Sequence, residues 1–150
     1  MKMASTLTPT SFNITITEEQ IVRNSIVKHE IRQTIDNVTN VDHRILTCPV
    51  STSIDIFNIN GVNPSAGTFP SSSLKYARIT NLDNSNNAAI TISGSQGKFT
   101  QNLTPESSMF LANSKITSSN FDGNFGDDIL FVQVYAMTGS VDIEYTLVNA

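Results

Sequence analysis

The sequence has one cysteine and no tryptophan, and charged residues make up only 15% of its 150 positions. The single cysteine, Cys48, excludes an intrachain disulfide and a metal site built from several thiolates. No apolar run approaches the roughly 18 residues of a membrane-spanning helix. The first residues also lack the apolar core of a secretory signal. We therefore expect a chain that is made in a cytoplasm, is not secreted and has no membrane partner.

Positive charge is scarce as well. Nine lysine and arginine residues stand against 13 acidic residues, which gives a formal net charge of −4. The cations are scattered along the chain, whereas nucleic-acid binding calls for a clustered basic surface. We therefore expect no nucleic-acid partner. Typical domains carry ~25% charged residues, so this weakly charged surface suits broad contact with other proteins, although such a surface is also common in β-sandwiches.

The sequence is rich in residues that favour β-structure and turns. Ile, Val and Thr supply 43 of the 150 residues, and Asn, Ser and Thr together supply 51. β-Branched side chains pack well on a pleated sheet, while Asn and Ser favour turns. The predicted fold class is all-β, an antiparallel, jelly-roll-like β-sandwich of about eight to ten short strands. We expect residues 12–150 to form this single domain, after an N-terminal arm at residues 1–11 that is flexible or ordered by a partner.

Two interpretations compete for the segment that follows the arm. Phe12–Ile16 alternates strictly between apolar and polar residues, as a strand with one buried face does. The next residues, Thr17–Gln20, match a helix capping box and favour a short helix near residues 18–25. Against the helix, the following apolar residues scatter around a helical wheel, whereas Val27, Ile31 and Ile35 share one face of a strand. A long strand over residues 26–35 is therefore the preferred interpretation.

Alternation also assigns side chains to faces in a later strand, Ser53–Ile59. There Ile54 and Ile56 would lie on one face, while Phe57 would lie on the other. The pattern therefore separates the phenylalanine from the two isoleucines.

Two C-terminal segments, Ile129–Ala136 and Val141–Leu147, read as strands on either side of Thr138 and Gly139. The first is a continuous apolar run, and the second alternates between apolar and polar residues. The intervening turn residues predict that the two strands form a tight hairpin.

Motifs for catalysis are scarce, since the sequence has two histidines. His29 begins a pattern like that of a helical zinc site, but Gln33 stands where a second histidine is needed. His43 lies between Asp42 and Arg44 without the serine motif of a hydrolase. We therefore expect no catalytic residue, no cofactor and no enzyme activity.

One acidic stretch, residues 122–128, offers oxygen ligands in a glycine-bearing loop, which is what Ca²⁺ prefers. The spacing departs from that of an EF-hand, because an aspartate stands at the position of the invariant glycine. Asp, Asn and Gly are also ordinary turn formers. A turn is the preferred interpretation, and a calcium site is the alternative. The ligands of such a site would be Asp122, Asn124, Asp127 and Asp128.

Several apolar residues lie in segments that we predict to be loops or arms. Such residues suit burial against a protein partner better than sugar recognition. The candidates for contact are Leu7 and Phe12 near the N-terminus, Phe69 in the long loop between residues 60 and 73, and Phe121 and Phe125 in the acidic stretch.

The second half of the chain has a recognisable order of segments. An extended segment, Tyr76–Asp83, precedes a strand at Ala89–Ile92, a proline-plus-acid turn within Leu103–Ser108 and a closing segment at Val141–Tyr145. This order resembles that of small β-sandwich virion proteins of tailed bacteriophages, over roughly residues 75–147.

The resemblance implies a non-enzymatic structural protein of the virion, made in the host cytoplasm. We expect a capsid decoration (cement) protein that stabilises the shell through symmetric protein–protein contacts, with a neck, tail or fibre subunit as the alternative. Its partners would be other virion proteins, either the major capsid protein or neck and tail subunits. We also expect a homo-oligomer, such as a trimer. A carbohydrate- or calcium-binding β-sandwich module is the alternative from a different class.

Overall fold

The structure is a computed structural model, and it describes residues 11–59, 68–69, 74–94, 97–112 and 129–150. Within these residues it contains eleven β-strands and no helix, so the predicted all-β class is confirmed. The strand count exceeds the predicted eight to ten because it includes a two-residue strand. The strands are β1 (Ser11–Val22), β2 (Ser25–Asp36), β3 (Asn40–Cys48), β4 (Ser53–Ile59), β5 (Thr68–Phe69), β6 (Leu74–Asn81), β7 (Ala88–Gly94), β8 (Lys98–Leu103), β9 (Ser108–Ala112), β10 (Ile129–Ala136) and β11 (Val141–Asn149).

These strands form two larger sheets and one separate hairpin. The five-stranded sheet has the order β5-β4-β10-β7-β8, and the four-stranded sheet has the order β3-β11-β6-β9. Neighbouring strands in both sheets are antiparallel, except for the short β4–β5 pair. The two sheets pack together as a β-sandwich, as the composition predicts. β1 and β2 pair only with each other in the described part of the chain.

The core lies between the two larger sheets and follows the period-two pattern of the strands. In β11, Val141, Ile143, Tyr145 and Leu147 are buried, whereas Asp142 between them is exposed. This alternation is what a strand with one face on a core requires. Other buried side chains that fill the same core are Ile56, Phe57, Ile79, Ile90, Leu103, Val132 and Val134.

The hairpin of β1 and β2 replaces the short helix considered near residues 18–25, which is wrong. Arg23 and Asn24 have φ values of 48° and 63°, and Val22 pairs directly with Ser25. Two consecutive residues with positive φ form the type I′ turn whose twist matches that of a β-hairpin. The capping-box pattern is overridden because the β-branched residues on both sides pair across this turn. The long strand predicted over residues 26–35 is confirmed as β2.

The hairpin predicted at Thr138 and Gly139 is wrong, although both flanking strands are present. β10 pairs with β4 and β7 in one sheet, whereas β11 pairs with β3 and β6 in the other. The turn therefore carries the chain from one layer of the sandwich to the other. Each strand then has a neighbour on both sides within its own sheet, and local turn signals do not specify this arrangement.

A β-bulge in β4 changes the faces that alternation assigns there. Val132 pairs with Phe57 and Gln133 pairs with Asp55, so Ile56 has no partner of its own on β10. An extra residue on one strand resets the alternation beyond it. Phe57 and Ile56 are consequently both buried, whereas the strict pattern places them on opposite faces.

A second, smaller apolar cluster attaches the hairpin to the sandwich, and we call it the anchor cluster. It consists of the buried residues Ile14, Ile35, Val38, Tyr76 and Val148. Its members come from β1, β2, the segment after β2, and two strands of the four-stranded sheet. The hairpin therefore packs on the sandwich only through its base. Its base has buried side chains, whereas the end that carries the turn is exposed.

Candidate assembly surface

Beyond the anchor cluster the hairpin is exposed along its whole length. All residues from Thr17 to Arg32 are exposed, and we call this segment the projecting arm. Each of its two strands adds about 3.4 Å per residue, so the six residues from Thr17 to Val22 extend roughly 20 Å beyond the base. The arm is the most prominent feature that the described residues offer to another molecule.

The arm exposes large apolar side chains near its tip. Ile21 is 72% exposed, Ile26 is 60% exposed and Val27 is 53% exposed. Ile21 lies directly opposite Ile26, so these two side chains share one face of the ribbon. Exposed β-branched residues beside free strand edges are typical of surfaces that another chain covers.

The two strands of the arm carry different charges. β1 contributes Glu18 and Glu19 and no cation, whereas β2 alternates Lys28, Glu30 and Arg32. The Lys28 ammonium lies 3.0 Å from the Glu19 carboxylate across the hairpin. Both side chains remain largely in solvent, so this pair contributes at most about 1 kcal/mol to the stability of the arm.

The depressions along the hairpin are shallow. One of about 300 Å³ is lined by Glu18, Glu19, Gln20, Val27 and His29. Successive residues of a strand point to opposite faces, so Glu19 lies on one side of the two-stranded ribbon and the other four residues lie on the opposite side. The space is therefore open to solvent, and a flat contact with a protein fits it better than an enclosed small molecule.

A charged row crosses the exposed face of the four-stranded sheet. The Arg78 guanidinium donates a hydrogen bond to the Glu144 carboxylate, and His43 Nε2 lies 3.6 Å from the other oxygen of Glu144. Phe110, opposite Arg78 on the next strand, is 52% exposed. The row holds a histidine and a carboxylate without a nucleophile in hydrogen-bond contact among the described residues, so it resembles a cross-strand charge network.

Asp42, considered with His43 at the sequence level, binds a different partner. The Tyr145 hydroxyl donates a hydrogen bond of 3.1 Å to Asp42 Oδ2. Burial of the ring raises the pKa of Tyr145 to about 12, and the neighbouring Asp42 carboxylate adds to this rise. Asp42 also accepts a hydrogen bond of 3.1 Å from Arg44 Nε. Asp42, Arg44 and Tyr145 therefore form a hydrogen-bonded group at the edge of the core, where β3 pairs with β11.

This pKa predicts a loss of stability at alkaline pH. The unfolded phenol ionises near pH 10, before the folded one, so folding is fully favoured below pH 10 and weakened as the pH rises towards 12. A shift of about two pKa units corresponds to roughly 2–3 kcal/mol. Urea unfolding at pH 9 and pH 12 should show this loss in the wild type and a smaller one in Tyr145→Phe. Equal losses in both proteins would contradict the assignment.

Two of the five predicted contact residues lie in the described part of the chain. The Phe12 ring packs on the Tyr76 ring, with centroids 5.3 Å apart, beside the anchor cluster. Phe69 belongs to the two-residue strand β5, next to β4. The other three candidates, Leu7, Phe121 and Phe125, lie outside the described residues.

The calcium alternative cannot be placed on this surface, because Asp122, Asn124, Asp127 and Asp128 all lie outside the described residues. Among the described residues, no group of three or more His, Cys, Asp or Glu side chains is arranged to hold a metal ion. The same part of the chain contains no helix with the length and apolar character that a membrane crossing requires.

The projecting arm is a candidate contact surface that the sequence pattern does not predict. The predicted strand over residues 26–35 includes Ile26, whereas Ile21 falls in the segment where a short helix competes, and neither interpretation predicts what covers these side chains. One signal was available, because the segment between Thr17 and Arg32 places isolated apolar residues on both faces of a strand. A strand that covers a core has one polar face. Apolar residues on both faces, mixed with charges, indicate a ribbon that leaves the core.

No protein family, curated protein or solved structure matches this chain. The candidate surface is therefore defined by its own geometry.

Proposed function

We propose that this protein is a non-enzymatic structural component of a virion and acts as a capsid decoration protein. The observation that carries the proposal is the projecting arm. An isolated two-stranded hairpin is only marginally stable in water, and free strand edges beside Ile21 and Ile26 favour pairing with another chain. An arm of this kind suits a subunit whose surface is covered in an assembly.

The body of the protein supports the same role. The chain has few charged residues, and its described sandwich presents the broad faces of a five-stranded and a four-stranded sheet. Such faces suit flat contacts with neighbouring shell subunits. Weak contacts that are repeated by the symmetry of a shell add up to a stable attachment. The proposed partner is the major capsid protein, and a neck, tail or fibre subunit is the alternative role in the same particle.

The location of the chain on purified virus particles tests this proposal. We expect gold-labelled antibody against the chain to mark the whole shell, with many copies per particle by quantitative mass spectrometry. Labelling at a single vertex would replace the decoration role with the neck or tail alternative. Particles that contain no copy of the chain would contradict both.

Binding to particles that lack the chain tests the role of the arm. In Ile21→Thr/Ile26→Thr both positions keep β-branched residues but lose apolar surface, so the arm should fold and bind at least about tenfold more weakly. The control is Ile45→Thr, which makes the same kind of change at an exposed position on β3, outside the arm, and should weaken binding much less than the arm variant does. Equal binding by the control and the arm variant would show that the arm does not make the contact.

A further inference from the structure

The free edge of β2 has backbone groups that are available for pairing. In the described part of the chain, β2 pairs on one side only, with β1. The two-residue turn makes Val22 and Ser25 a hydrogen-bonded pair, and such pairs then alternate along the hairpin. The backbone groups of Ile26, Lys28, Glu30 and Arg32 therefore point away from β1, to the free edge.

The charges along this edge are complementary to those of the same edge in a second copy. Lys28, Glu30 and Arg32 alternate in sign and share one face of β2, because they are two residues apart. An antiparallel neighbour with the same sequence can place acids opposite bases. The β1 edge cannot do so with itself, since its charged residues, Glu18 and Glu19, are both acidic.

We propose that two copies of this chain pair through their β2 strands, antiparallel about a two-fold axis at His29. Lys28 of each copy then faces Glu30 of the other, and Val27 of each faces Ile31 of the other. Two projecting arms form one four-stranded sheet. The pairing goes beyond the proposed function, because it depends on the arm alone and not on a virion partner.

Other two-fold registers along β2 fit less well. An axis at Glu30 places Glu30 opposite itself and Lys28 opposite Arg32, so like charges meet. An axis at Ile31 matches Glu30 with Arg32, but the paired length then reaches Ile35, which is only 1% exposed in the anchor cluster. With the axis at His29 the pairing runs from Ser25 to Gln33, almost entirely within the exposed part of the arm.

The apolar residues of the arm support this register. Ile16 lies opposite Ile31 within the hairpin, and Val27 lies opposite Gln20. Across the two-fold axis, Val27 of the second copy extends the Ile16–Ile31 row, so three apolar side chains lie side by side. Ile31 is 42% exposed and Val27 is 53% exposed in the single chain, so both have apolar surface left to bury.

The solution mass of the full chain tests the pairing. We expect light scattering and sedimentation to give twice the chain mass of 16.3 kDa, with dissociation on dilution. In Glu19→Lys/Lys28→Glu the charge pair within the hairpin is kept, whereas residue 28 now meets Glu30 of the second copy with the same sign. Because symmetry repeats that contact, this variant should dimerise at least about tenfold more weakly.

A mixing experiment separates this register from the others. Glu30→Lys alone should likewise dimerise at least about tenfold more weakly, since two cations then meet across the axis. Mixed in equal amounts, Glu30→Lys and Glu19→Lys/Lys28→Glu should form a mixed dimer, because both contacts then join opposite charges. The control Glu106→Lys makes the same charge change in an exposed turn away from the arm and should dimerise as the wild type does.

Three results would overturn the pairing. They are a monomeric or trimeric wild type, a Glu19→Lys/Lys28→Glu variant that dimerises normally, and a mixture of the two variants that stays monomeric. These results bear on self-association only. A wild type that is monomeric in solution but covers the virus shell would overturn the pairing and leave the proposed function supported.

Discussion

Phe57→Ala should lower the free energy of unfolding by about 3–5 kcal/mol, the range for truncating a buried aromatic side chain. The Phe57 ring is 1% exposed and belongs to the five-stranded sheet. It packs on the Tyr145 ring of the four-stranded sheet, with centroids 6.2 Å apart. The pair joins the two layers of the sandwich. Its loss would leave a cavity between rigid sheets, which cannot close over it fully.

Urea unfolding followed by far-ultraviolet circular dichroism measures this effect. The matched control is Phe110→Ala, which removes the same side chain from a position that is 52% exposed on the outer face of β9. We expect that variant to lose less than about 1 kcal/mol. If both variants lose the same amount, Phe57 does not join the sheets as described.

The separation of the two apolar clusters has a consequence for the arm experiments. Phe57 lies in the core between the sheets, whereas Ile35 lies in the anchor cluster on the other face of the four-stranded sheet. Charge changes at Lys28 and Glu30 lie farther out still, on the exposed arm. Measured at a concentration low enough that the wild type is monomeric, they should therefore leave the urea midpoint of the sandwich unchanged, because distant sites act independently and no association then stabilises the folded chain.

The parts of the fold that period-two alternation specifies could be predicted from the sequence. The alternation in β11 correctly predicts that Val141, Ile143, Tyr145 and Leu147 point inwards. Such strands cover one core with one face, so each residue's environment follows from its position along the strand. β2 is likewise predictable as a strand, because Val27, Ile31 and Ile35 share a strand face, whereas the apolar residues of the segment as a whole scatter around a helical wheel.

The remaining features depend on contacts between distant parts of the chain. The bulge at Ile56 becomes apparent only when β4 is aligned with β10, because the register slips there. Likewise, the turn after β10 could continue into a hairpin or cross to the other sheet. The order of strands decides between these outcomes, and β11 pairs with β3 and β6 from earlier in the chain.

The candidate surface was the least predictable part. The predicted contact residues lie in loops and near the N-terminus, and one of them, Phe12, has a ring that packs on Tyr76 within the chain. The exposed residues that stand out in the structure, such as Ile21 and Ile26, lie in a regular hairpin instead. A strand pattern does not reveal whether the strand joins a sheet of the core or leaves it. That outcome depends on where the apolar base of the hairpin finds its partners.

Asn81→Asp should destabilise the protein by about 3–5 kcal/mol at pH 7, because it places a charge where amide hydrogens are needed. Asn81 is fully buried at the end of β6. Its Nδ2 donates to the carbonyl oxygens of Asn86 at 2.8 Å, Leu103 at 3.3 Å and Thr104 at 3.4 Å. A carboxylate at this position has no hydrogen to donate and faces three oxygens.

The same amide also accepts a hydrogen bond of 3.1 Å from the backbone N–H of Asp83, and a carboxylate can still accept it. The penalty should therefore come from lost donors and buried charge, both of which change when the new carboxyl group is protonated. Its pKa is raised by burial, so stability falls as the pH rises through the acidic range, and the penalty is smaller at pH 4 than at pH 7.

Urea unfolding at both pH values measures this difference. Asn84→Asp makes the same change at an exposed position of the adjoining turn, where we expect a loss within about 0.5 kcal/mol at either pH. A penalty for Asn81→Asp that is equal at both pH values would show that charge at this site is not its cause.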